Sequence, residues 1–125
     1  MELKNYFASA SGIGILATSD RDGNVDAAVY ARPTVMDDGT LAFIMNDRLS
    51  HQNLQSNPRA TYLFKEEGGY KGKRLHLSMV REEKDSPMIP ELSRKSPSPE
   101  REKQAKGSKF LVFFRVEKER PLVGG

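Results

Sequence analysis

Val25-Asp-Ala-Ala-Val-Tyr-Ala-Arg-Pro-Thr-Val-Met36 is the stretch on which the fold turns. Ala27, Val29, Ala31, Pro33 and Val35 fall on one face of an extended chain, and Ala28, Tyr30, Arg32 and Thr34 on the other, so the period predicts one β-strand. Arg32 stands in an otherwise apolar run and is followed by Pro33, which has no N–H to give a ladder, so the strand belongs at an edge or exposed rim. A flat conjugated ligand lying against it would meet the backbone groups of Ala31, Arg32 and Thr34. An arginine reaching to solvent from an edge strand fits the same residues.

Working outward, Gly12 to Ser19 reads as a mostly buried strand, and Asp20 to Asn24, with Asp22-Gly23, as the turn between the two. Asp38-Gly39 signals a hairpin into a third strand, Leu41 to Met45, and a fourth follows at Ala60 to Phe64. The glycine-rich basic loop Glu66 to Arg74 opens a fifth, in which Leu75, Leu77 and Met79 alternate with His76, Ser78 and Val80. Arg81 to Lys109 holds four of the seven prolines and 14 charged residues, an irregular excursion with a helix expected around Glu100 to Lys106. The last strand, Phe110 to Val116, is apolar on both faces, which predicts a central position or a face sealed by a partner chain. Strands in quick succession pair antiparallel. The fold class expected is mainly β, a six-stranded antiparallel barrel with short connecting helices, because closure removes aggregation-prone edges. An open sheet with one covering helix is the alternative.

A chain of 125 residues makes one domain. It has no cysteine, which excludes disulfides, thiolate metal sites and cysteine nucleophiles. His51 and His76 are the only histidines and show no metal spacing, and nothing resembles Gly-x-Ser-x-Gly. The net charge of +3, from 20 basic and 17 acidic side chains well mixed along the chain, is a weak argument for nucleic acid. A small basic barrel stacking single-stranded bases on Tyr62, Phe64 and Tyr70 is the form such binding would take. The start has neither the basic region nor the apolar run of a secretory signal, and no stretch approaches a membrane span, so the expectation is cytoplasmic with no membrane partner.

Asn46-Asp-Arg-Leu-Ser-His-Gln-Asn-Leu-Gln-Ser-Asn-Pro-Arg59 sets a dense polar cluster directly behind an apolar strand. A helix opening there, with hydroxyl, guanidinium and backbone amide donors from Arg48, Ser50 and His51, suits an anion. A surface helix merely capped by Asp47 or Ser50 and ending before Asn57-Pro58 fits too.

Taken together, these pieces resemble the flavin-binding split-barrel family, which contains pyridoxamine 5'-phosphate oxidase and small bacterial FMN-binding proteins. The resemblance rests on Gly12 to Ser19 with Asp22-Gly23 and on Tyr30-Ala-Arg-Pro-Thr34 before Asp38-Gly39. It continues through Phe43 to His51, Asn53-Leu54, Asn57-Pro-Arg59, Gly69 to Arg74 and Pro121 to Gly124. It implies a split β-barrel of Greek-key type holding FMN at the interface of a homodimer. Tyr30, Ala31, Arg32, Pro33 and Thr34 would line the ring, and Met45, Asn46 and Asp47 would follow its edge and the ribityl chain. Arg48, Ser50 and His51 would reach the phosphate, with Asn53 bracing the turn. Tyr70, Lys71, Gly72 and Arg74 would come from the second subunit or the opposite rim.

The implied function is a flavoprotein exchanging electrons or hydride with a small redox partner, the flavin doing the chemistry. No catalytic residue is nominated, although Tyr30 and His51 fall in the implied site. Ser50-His51-Gln52 is less basic than the phosphate turn of many relatives, so Arg48 carries more or a donor comes from elsewhere. The chain is short and lacks an Arg-x-His motif near its end, which argues against pyridoxamine phosphate oxidation itself. A non-catalytic module of the same barrel, binding heme or a deazaflavin, is the competing expectation.

Overall fold

The alternation from Val25 to Met36 does not run as a single strand. The structure, a computed structural model, describes residues 2–95 and 108–125. Its strands are β1 (Gly12–Ser19), β2 (Val25–Val29), β3 (Thr34–Val35), β4 (Leu41–Asn46), β5 (Arg59–Glu66), β6 (Gly72–Lys84) and β7 (Lys109–Pro121). The helices are α1 (Leu3–Ser9), α2 (Leu49–Ser56) and α3 (Ile89–Lys95). β2 pairs with β1, whereas β3 pairs with β4, with Thr34 opposite Ala42. Tyr30 to Pro33 lie between them in neither strand.

That break corrects the expected six-stranded closed barrel. The sheet has seven antiparallel strands in the order β2-β1-β5-β6-β7-β4-β3, and β2 and β3 form its two ends without pairing. Pro33 has no N–H and Arg32 is drawn toward α1, so this segment cannot continue a ladder. The two ends are joined covalently by Tyr30 to Pro33 rather than by strand pairing. The sheet nevertheless curls. Phe43 of β4 and Tyr62 of β5 are separated by two strands, yet their ring centroids are 5.0 Å apart.

The concave face carries the main core: Leu16, Phe43, Met45, Tyr62, Phe64, Leu75, Val112 and Phe114, with Tyr6 and Phe7 of α1 over one end and Leu54 of α2 over the other. Phe7 meets Phe64 edge to face at 5.5 Å. Burial of Tyr62 and Phe64 removes the base-stacking surface that a nucleic-acid reading needs.

The final strand is central, lying between β6 and β4. Its second apolar face is sealed within the chain: Ile89 and Leu92 of α3 pack on Ala42 and Ile44 of β4 and on Leu111 and Phe113 of β7. Full burial of two such side chains stabilises the docked helix by about 1.5–3 kcal/mol each. Within Arg81 to Lys109, residues 81–84 complete β6 and residues 89–95 form α3. β6 runs to Lys84 through register shifts after His76 and Met79, and Pro90 sits in the first turn of α3, where a missing N–H costs nothing. The helix expected around Glu100 to Lys106 lies outside the described residues.

Gly14 sets how closely the chain can pass at the break. A Cβ there would lie 1.8 Å from the Tyr62 hydroxyl and 2.7 Å from the Tyr30 carbonyl oxygen. Gly14→Ala is expected to cost about 1–3 kcal/mol through overpacking and to lower the melting temperature by several degrees. An unchanged melting curve would show that the Tyr30 to Pro33 crossing tolerates displacement.

Candidate functional site

Tyr30 is held at both of its backbone groups. Its N–H donates to the Gly14 carbonyl at 2.9 Å, and its carbonyl accepts from the Tyr62 hydroxyl at 3.0 Å. Burial pushes the Tyr62 pKa well above the ordinary phenol value, with the Arg32 charge opposing, so the hydroxyl stays a donor. Arg32 does not simply reach to solvent: its Nη1 donates to the carbonyls of Phe7 at 3.0 Å and Ala10 at 2.5 Å. These groups sit at the C-terminal end of α1, where a cation is favoured. The Tyr30 to Thr34 segment, expected to line a ring, is thereby pinned at Gly14, Tyr62 and α1.

Two hollows flank this segment. One is a narrow cleft lined by Tyr30, Ala31, Arg32 and Thr34, by Ala42, Phe43 and Ile44 of β4, and by Leu92 of α3. The other, about 340 Å³, lies toward α1 between Lys4, Phe7 and Ala8 and the Arg32 to Val35 chain. From the first cleft the convex face of β4 continues through Ile44 to Asn46, four residues beyond Ala42, a span of roughly 13 Å. Met45, expected beside it, points the other way and is fully buried in the core.

At the far end of β4, Asn46, Asp47 and Arg48 lead into α2. Arg48 is the N-cap residue, exposed, with no side-chain cap bond. Ser50, His51 and Asn53 are buried. Asn53 Nδ2 donates to Thr18 Oγ1 at 3.0 Å, tying the helix to β1. His51 stacks on Phe110 at 3.9 Å, with Nδ1 2.9 Å from Asp47 Oδ1 and Nε2 2.5 Å from Glu82 Oε2. Carboxylates only accept, so each contact is a hydrogen bond when that ring nitrogen carries its proton. The histidine expected to face an anion from solution is thus engaged between two carboxylates of its own chain. Lys109, directly opposite Asn46 on the neighbouring strand, brings a cation to the same end of the sheet.

The loop Tyr70 to Arg74 is at the other end. Lys73 pairs with Pro121 at the C-terminal end of β7, whereas Asn46 pairs with Lys109 at its start. Tyr70 is 82 % exposed. Arg74 donates from Nε to the Pro121 carbonyl at 2.8 Å and also bonds the Gly124 carbonyl. Gly72 is required where it stands, since a Cβ would lie 2.0 Å from the Phe64 carbonyl oxygen. One chain therefore brings Thr34 beside the start of β4 and Asn46 to Arg48 to its end, and leaves Tyr70 to Arg74 apart from the α2 turn.

Sequence reasoning missed Glu82, Lys109 and Leu92. Only Leu92 left a local trace, its i, i+3 spacing from Ile89 behind Pro87 and Pro90, in a stretch dominated by charge. Among the described residues no group of three or more His, Asp or Glu suited to a metal occurs, and no helix is long and apolar enough to cross a membrane.

The buried His51 cluster carries its own prediction. His51→Ala would leave Glu82 without its partner and open a cavity beside Phe110, at an expected cost of about 2–4 kcal/mol. Chemical denaturation measures this, and a change under about 0.5 kcal/mol would mean the cluster does not hold α2.

No protein-family model matches the chain, and no curated protein does. Solved structures do. An FMN-binding protein from Syntrophomonas wolfei subsp. wolfei is 13 % identical with a TM-score of 0.77, the match covering 98 % of this chain and 84 % of that one. An F420 reductase is 14 % identical with a TM-score of 0.69, covering 96 % and 98 %. A candidate pyridoxamine 5'-phosphate oxidase from Lactobacillus delbrueckii is 18 % identical with a TM-score of 0.67, covering 95 % and 90 %. At such identities the likeness is one of backbone architecture: the chain has the fold shared by FMN-binding and pyridoxamine 5'-phosphate oxidase-like structures.

Proposed function

We propose that this chain is an FMN-binding flavoprotein, a redox protein or flavin-dependent oxidoreductase acting on a small acceptor. The observation that carries the reading is the course of β4. That strand begins beside the pinned Tyr30 to Thr34 segment, where Thr34 pairs with Ala42, and ends at Asn46 and the exposed Arg48. A planar ring at one end and a phosphate at the other match that separation, in a fold shared with an FMN-binding protein.

The backbone of Ala31 to Thr34 would orient the ring. Asn46 and Asp47 would follow the ribityl chain. Arg48, the first amides of α2 and Lys109 would face the phosphate, which carries close to two negative charges near neutral pH. With His51 turned toward Asp47 and Glu82, Lys109 answers the weak basicity of the Ser50-His51-Gln52 turn. The flavin, when bound, supplies the electron or hydride chemistry. Arg48→Ala is expected to weaken FMN by roughly tenfold or more while leaving riboflavin, which has no phosphate, nearly unchanged. Equal losses for both flavins would place Arg48 in the fold instead. A purified protein that is colourless and takes up no FMN removes the proposal altogether.

A deazaflavin in the same place is the second reading, favoured by the likeness to an F420 reductase. The absorption spectrum of the loaded protein separates the two.

The proposal includes a homodimer. The apolar final strand no longer calls for one, since α3 covers it. The convex face of β1 and β2 does: Val25 is 83 % exposed and Val29 59 %, with Ile13 about half exposed in the same patch. β2 is an end strand with one edge unpaired by the sheet, and Val29 adjoins Tyr30, so the patch runs up to the ring cleft. Across it, a second copy would supply Tyr70 to Arg74. Sedimentation or light scattering should give twice the chain mass, and Val25→Asp with Val29→Asp should return the monomer. A monomer with flavin bound would refute the dimer and keep the site.

A further inference from the structure

We propose that the convex face of β1, β5 and β6 carries a second ligand site, which binds the carboxylate of a small organic acid between Arg59 and Thr61 and seats its apolar body over Ala17 and Val25. A hollow of about 340 Å³ lies there, lined also by Ser19, Asn57, His76 and Glu117. Residue size creates it. Ala17 pairs with Thr61 and Thr61 with His76, while in the next row Ser19 pairs with Val25 and Arg59 with Ser78. Alternate residues of a strand share a face, so the small side chains at positions 17, 19 and 61 leave a trough between Val25, Arg59 and His76. A volume of this order suits a small molecule. None of these residues belongs to the flavin site proposed above, so the inference stands apart from that reading.

The hydrogen bonds around the hollow run in one direction. Arg120 Nε donates to His76 Nε2 at 3.1 Å, and because an arginine only donates, that nitrogen holds a lone pair and the imidazole proton is on Nδ1. Nδ1 lies 3.2 Å from Thr61 Oγ1 and donates to it. The Thr61 hydroxyl thus has a proton to give and, among the described residues, no acceptor for it. Arg59 is exposed, and its guanidinium makes no hydrogen bond or ion pair among those residues. Asn57 spends Oδ1 on the Arg59 N–H at 3.2 Å, which leaves its amide donors. Three donors, one of them a permanent cation, call for an oxyanion. Glu117 decides which kind. Hydrogen bonds from Arg115 and Ser78 hold its carboxyl below the usual range, with the charges of Arg115 and Arg59 adding, so an ionised group borders the hollow at neutral pH. A carboxylate carries one negative charge and a phosphate monoester close to two, so repulsion from Glu117 favours the carboxylate.

Titration of the full chain with benzoate and with phenyl phosphate, followed by the NMR shifts of Thr61 and of the His76 ring, tests this. Benzoate should give saturable shifts at both residues and bind several-fold more tightly than phenyl phosphate, and Glu117→Gln should narrow that gap. Arg59→Ala should weaken benzoate by roughly tenfold. Thr61→Val keeps the shape, removes the hydroxyl and should weaken it by roughly fivefold, whereas Thr61→Ser should bind as the unmodified chain does. Arg48→Ala, at the phosphate turn of the flavin site, should leave the shifts at Thr61 as they are. Absence of saturable shifts overturns the proposal, as does their loss in Arg48→Ala or unchanged affinity in Thr61→Val. Tighter binding of phenyl phosphate than of benzoate makes the hollow a phosphate site and overturns the carboxylate assignment. A change of solution mass in Arg59→Ala shows that a second copy of the chain fills the hollow, which overturns the small-molecule site.

Discussion

The hydrogen bond from the Tyr62 hydroxyl to the Tyr30 carbonyl is the contact on which the rest of the molecule depends. It forms because Gly14 leaves room where a side chain would stand. Tyr30 is the last residue whose N–H bonds to β1, and four residues later the chain is pairing with β4 at the opposite end of the sheet. Held at Gly14 and Tyr62, and by Arg32 against α1, the crossing keeps the two ends of an open sheet close without a ladder between them. The same restraint gives the candidate site its firmest wall. Sites supported by residues locked in the scaffold are more exact than sites on untied loops.

At the other end, α2 does two things at once. Its buried face closes the concave core through Leu54, the Asn53 to Thr18 bond and the His51 cluster. Its exposed opening turn presents Arg48 and the first amides. Burial explains why the polar residues of this turn divide as they do. Ser50, His51 and Asn53 face inward, and His51 and Asn53 find partners in Asp47, Glu82 of β6 and Thr18 of β1. Only residues outside that packing remain to meet an anion.

The convex face shows the same economy. β4 and β7 are apolar on both sides, a pattern that calls for cover, and α3 provides it from within the chain. β1 and β2 are left with their valines and isoleucine exposed. The β1–β2 face thus keeps an exposed apolar patch, whereas the β4–β7 face is covered.

Much of this was legible in the residues alone. Alternation with period two, Asp22-Gly23 and Asp38-Gly39 determined the antiparallel strands and their turns, because strand faces and tight turns are set by neighbours in the chain. The pairing of an apolar strand with a polar helix start at Asn46 to Arg59 was equally local. Three things were decided only by tertiary structure. Whether Val25 to Met36 is one strand or two depends on what Gly14 and Tyr62, 16 and 32 residues away, permit at Tyr30. His51 faces inward because Glu82, 31 residues on, and Phe110 meet it there. Leu92 lines a cleft because β4 and β7 bring an apolar face to it. Each is a contact between residues distant in the chain, and local periodicity carries no record of which distant side chain will arrive.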